Sequence, residues 1–101
     1  MSNSDYKNKV YETDGFHIPR YMMDSILRYV DDGVMPGSFL CAVLSNDLSG
    51  AVAYADDNNM RNLPAYVRFL YNHCPCGCWG SRDIVTNWVV NNGLKGRIHD
   101  S

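Results

Sequence analysis

The chain has no run of about 18 apolar residues, so no segment of its 101 residues reads as a membrane span. It also lacks a positive excess. Nine Lys and Arg against eleven Asp and Glu leave a formal charge of −2, which offers no general attraction to nucleic acid or anionic membranes. The start, MSNSDYKNKVYETDG, has no apolar signal core, so export is not expected. Four cysteines are too few and too clustered for a secreted disulfide framework, and in a reducing cytoplasm they stay thiols. No C-x-x-C redox pair, phosphate loop, paired carboxylates or nucleophile–base pair can be read, which places an enzyme last among the function classes. ADDNNMRN collects acidic and amide residues but lacks the alternating pattern and closing Glu of a calcium loop. No internal repeat is present.

What remains is an ordinary globular composition, 46% hydrophobic and 20% charged, in a chain long enough for one modest core. Proline and glycine punctuate it at helical intervals. Met23, Ile26, Leu27 and Val30 form one apolar stripe between Pro19 and Gly33, predicting a helix. Pro36 opens a second segment, with Phe39, Leu40, Val43 and Leu44 facing inward. SND interrupts it, and Leu48, Ala51, Val52 and Ala55 restart the period, so two helices meeting at a bend are predicted, with Ser45 or Asn46 as the new cap. Pro64 opens the next, with Val67, Leu70, Tyr71 and Cys74 as its inner face. Ser81 caps a last helix, where Ile84, Val85, Trp88 and Val89 are buried and Gly93 is the stop. The prediction is an all-α protein: about five short helices in a compact single-domain array over residues 18–93. A flexible or extended arm covers residues 1–17 and a frayed tail residues 94–101.

The stretch YNHCPCGCWGS gathers Cys74, Cys76 and Cys78 beside His73. Structural zinc uses two separated knuckles, and here there is one, even if Cys41, His17 or His99 approached. No metal and no cofactor is expected. Small residues packing a tight inter-helix turn, with Trp79 as plug, explain the pattern. WGSRD is more suggestive. Gly80 and Ser81 sit at a helix N-terminus beside Arg82, where open backbone N–H groups receive phosphate or carboxylate, and Tyr71 and Trp79 offer rings for a flat ligand. Asn46 and Asp47 are caps or polar contacts, and Asn72 closes the preceding helix. These eight residues, Asn46, Asp47, Tyr71, Asn72, Trp79, Gly80, Ser81 and Arg82, form the ligand-binding set. The last helix carries too little basic or amide surface for a DNA reader, so nucleic acid is not expected as a partner.

The wording IPRYMMDSILRYVDDGVMPGSFLCAVLSNDLSGAVAYADDNN, followed by YNHCPCGCWGS, resembles a family of small uncharacterised proteins of bacteriophages and prophages. The shared pattern is P-G-x-F-L-x-A-V-L-x-N-D-L, then L-Y-N-x-x-P and W-G-S, across residues 18–81. The resemblance implies an accessory protein in the host cell cytoplasm. Such a protein would bind rather than catalyse, sequestering a nucleotide-like host defence signal at a homo-oligomer interface. The alternative is an adaptor or inhibitor of a host protein, acting through an apolar face such as Met22, Tyr29 and Met35.

Overall fold

The computed structural model describes residues 9–99, the side chains of Cys76, Arg97, Ile98 and His99 excepted. It opens on a feature the helical reading passes over. Strands β1 (Tyr11–Thr13) and β2 (Phe16–Ile18) pair antiparallel with Tyr11 opposite Ile18 and Thr13 opposite Phe16. Asp14 and Gly15 both take positive φ, 48° and 85°, and form the two-residue connection that suits a right-twisted hairpin. The fold is therefore mostly helical with a small sheet, and residues 11–17 of the expected arm belong to that hairpin. Residues 1–8 of that arm lie outside the described residues.

Among the described residues seven helices follow: α1 (Arg20–Asp32), α2 (Ser38–Leu44), α3 (Leu48–Tyr54), α4 (Asp57–Arg61), α5 (Leu63–His73), α6 (Arg82–Val90) and α7 (Gly93–His99). A turn of 3-10 helix, Cys76–Cys78, separates α5 from α6. The bend between α2 and α3 is as predicted, but the cap is Asp47, whose carboxylate accepts the Gly50 N–H at 3.0 Å. Asn46 takes φ 60° to turn the chain, and Ser45 only closes α2. Asp56 caps α4 by accepting the Asn59 N–H at 2.7 Å, so DNNMR forms a short helix of its own. Residues 94–99 continue α7 instead of fraying, and Lys95 pairs with Asp32 at 2.7 Å.

One core joins the hairpin and every helix but α4, with Trp88, Tyr29, Tyr66 and Phe69 as its largest buried side chains. The radius of gyration, 12.8 Å, is that of a compact chain, about 13 Å at 100 residues. Helix α5 buries Ala65, Tyr66, Phe69 and Leu70, while Val67 and Tyr71 point outward and Cys74 is half-buried. The inner face is thus rotated from the predicted one. The hairpin lies on α5: Tyr11 meets Phe69 edge-on at 5.0 Å, Arg68 pairs with Asp14, and the His17 N–H donates to buried Asn62 at 2.9 Å.

The end of α1 organises the cysteine turn. Tyr29, expected on an exposed face, is fully buried, and its hydroxyl donates to the Cys78 carbonyl at 2.6 Å. Burial and the neighbouring thiols push its phenol well above the ordinary range, so it remains a donor at neutral pH. Removing that hydroxyl in Tyr29→Phe leaves a buried carbonyl without its partner, an expected loss of about 1–3 kcal/mol in urea unfolding. An unchanged midpoint would show that the turn is held by packing alone.

Candidate functional site

Two loops distant in sequence are tied together where α2 ends. The Gly80 N–H donates to the Leu44 carbonyl at 2.8 Å, setting the WGS turn beside the SND turn. Gly80 has φ 130°, which lets the chain fold back before Ser81. Ser81 then caps α6, its hydroxyl accepting the Ile84 N–H at 3.2 Å, as predicted. Arg82 and Thr86 follow on the outer side of α6.

Between α2, α3 and the start of α6 lies an open cleft of about 420 Å³. Arg82, Val85 and Thr86 form one wall. The rest of the lining includes Ser38, Cys41 and Ser45 from α2 and its end, Asp47 and Tyr54 from α3 and its cap, and Met35 and Pro36 ahead of α2. The Cys41 thiol lies 3.3 Å from both the Met35 sulfur and the Pro36 carbonyl. Burial pushes this thiol up from its ordinary pKa, and the Arg82 guanidinium pulls it part of the way back. It stays protonated at neutral pH.

Of the eight residues expected to bind a ligand, the cleft gathers two, Asp47 and Arg82. Gly80 and Ser81 do not line it; they set the start of α6 through the Gly80–Leu44 hydrogen bond and the Ser81 cap. Asn46 is exposed at the bend without lining the cleft. Tyr71 and Asn72 are exposed at the far end of α5, outside the cleft lining, with Tyr71 77% exposed. Trp79 is half-buried and touches Tyr71 edge-on, centroids 6.5 Å apart, so the two rings do not form a parallel slot. The ring available to a flat ligand is Tyr54, 63% exposed, which sequence reasoning missed. Cys41, Ser38, Ser45 and Thr86 were missed as well, because only the packing of α6 on α2 makes them neighbours.

Among the described residues, no three His, Cys, Asp or Glu side chains converge on a point suited to a metal ion. No helix among them is long and apolar enough to cross a membrane. The cleft therefore offers one cation, one partly committed carboxylate, several hydroxyls and an aromatic ring. Such a set can hold a polar molecule with an anionic group and a flat portion. No family model, curated protein or solved structure matches the chain, and the site stands on this geometry.

Proposed function

We propose that the protein binds a small anionic, nucleotide-like ligand in the cleft between α2, α3 and α6 and carries out no chemistry on it. The observation that supports this reading is the cleft itself, about 420 Å³ and lined by both Arg82 and Tyr54. Its volume falls within the roughly 300–1,000 Å³ of small-molecule sites. Arg82 supplies a planar, permanently charged donor for phosphate or carboxylate. The first backbone N–H groups of α6 add to the same field. Tyr54 gives a face for stacking, and the Ser38, Ser45 and Thr86 hydroxyls serve sugar or amide groups. In the bacteriophage setting of the sequence resemblance, this is an accessory protein in the host cytoplasm that sequesters a defence signal. An oligomer would close the open side of the cleft.

Isothermal titration against cyclic dinucleotides and ADP-ribose derivatives tests the proposal. Micromolar or tighter binding is expected, weakened at least tenfold in Arg82→Ala, since a charge-assisted contact contributes about 1.5–3 kcal/mol. Silence across the panel, with no ligand retained in native mass spectrometry, would overturn it. A second reading, an adaptor or inhibitor of a host protein, is favoured by one observation. Helix α3 carries no charged residue and leaves Leu48 70% and Val52 44% exposed. A Val52→Asp variant would then lose a stoichiometric host partner while keeping its response to ligands.

A further inference from the structure

The cleft carries both signs of charge, and contact does not neutralise them. Arg82 is the one cation and Asp47 the one anion among the residues lining it. Among the described residues neither joins an ion pair, with the other or elsewhere. Asp47 is held in place by three hydrogen bonds. Its N–H donates to the Ala42 carbonyl at 2.8 Å, its own carbonyl accepts the Ala51 N–H at 2.9 Å, and its Oδ1 accepts the Gly50 N–H at 3.0 Å. A Cβ on Gly50 would run into the carboxylate, so the glycine leaves it room. Oδ2 accepts no hydrogen bond among the described residues. A carboxylate fixed in this way has little freedom to swing away from an incoming ligand. Arg82 is exposed, and its sequence neighbour Asp83 adds no second cation.

We infer that Asp47 makes the cleft selective for a phosphodiester over a pyrophosphate, which rests on the reading of this cleft as a site for an anionic ligand. The Arg82 guanidinium pairs through two parallel N–H bonds with one phosphate group. A phosphodiester brings it one negative charge. A pyrophosphate brings two on adjacent phosphorus atoms, and the second finds no further cation in the lining while Asp47 repels it. In a cyclic dinucleotide the sugars hold the two phosphodiesters apart, so one enters while the other stays at the open side. Toward the rest of the ligand Oδ2 of Asp47 only accepts, which suits an N–H group such as the exocyclic amine of a base. Selection therefore follows the charge clustered at the phosphate seated in the cleft and not the total charge of the ligand.

The test is isothermal titration of the full chain with cyclic di-adenylate and with ADP-ribose, which both contain adenine and carry the same total charge. The unaltered protein should bind the first about tenfold more tightly. Asn and Ser are capping residues like Asp, so Asp47→Asn and Asp47→Ser remove the charge and keep α3 capped. In both variants ADP-ribose should tighten more than cyclic di-adenylate, narrowing the ratio to about threefold or less. Urea unfolding checks that the variants are folded. ADP-ribose binding the unaltered protein as tightly as cyclic di-adenylate, or more tightly, would overturn the inference while leaving the cleft a ligand site. An unchanged ratio in both folded variants would do the same. Silence from both ligands in all three proteins would instead overturn the reading of the cleft as a nucleotide site, and the selectivity with it.

Discussion

Trp88→Ala is expected to lose a large share of the stability of the fold. Truncating a fully buried aromatic typically costs about 3–5 kcal/mol, against about 5–15 kcal/mol for a whole domain. Here the ring also serves as a polar connector. The Trp88 indole N–H donates to the Tyr29 carbonyl at 2.9 Å and the Val30 carbonyl at 3.2 Å. These belong to the last turn of α1, where helical carbonyls begin to run out of partners further along the helix. The Gly33 N–H already serves Tyr29, so Val30 depends on the indole. Trp88→Phe keeps most of the apolar area and removes this bond, for an expected loss of about 1–3 kcal/mol. Urea unfolding followed by far-ultraviolet circular dichroism ranks the two variants. Equal losses would mean that packing contributes little and the hydrogen bond carries the effect. Loss in Trp88→Ala alone would mean the reverse.

Gly93→Ala is the second substitution expected to be severe. Gly33 and Gly93 end and begin helices in the left-handed region, at φ 72° and 68°. They also lie against each other. A Cβ on Gly93 would stand 2.6 Å from the Gly33 nitrogen and 2.8 Å from the Asp31 carbonyl oxygen. Both neighbours are backbone, so no side chain can rotate away. The left-handed penalty is about 1–2 kcal/mol and overpacking adds about 1–3 kcal/mol, so a total of ~2–5 kcal/mol is expected. Gly15→Ala separates the two contributions. Gly15 also has positive φ, 85°, but nothing lies within 4 Å of its added Cβ. It should lose only the conformational part. If both variants unfold at the same urea concentration, the contact between α1 and α7 is dispensable.

The parts of the fold legible in sequence are those decided locally. The stripe Met23, Ile26, Leu27, Val30 and the stop at Gly33 need only helical periodicity and one residue tolerant of positive φ. The hairpin escaped because three-residue strands are too short for alternation to register, although Asp14-Gly15 carries a turn signal. On α5 two overlapping apolar stripes obey the same period. Choosing Ala65, Tyr66, Phe69 and Leu70 over Val67 and Tyr71 took the hairpin and α2, which pack there through Tyr11 and Phe39. The site shows the same division. Asp47 and Arg82 stand out as charges at helix starts, whereas Cys41 and Tyr54 join the cleft only through long-range packing.

The seat of the hairpin also has a consequence in time. Its partners on α5 lie far along the chain, 54 residues between Asp14 and Arg68. An isolated two-stranded hairpin is marginal in water. At about 5–20 residues per second of synthesis, roughly 3–10 s separate the emergence of the hairpin from that of its platform. Throughout that interval Tyr11, Phe16 and Ile18 lack the α5 platform they pack on, and these three apolar side chains stay open to whatever meets the emerging chain.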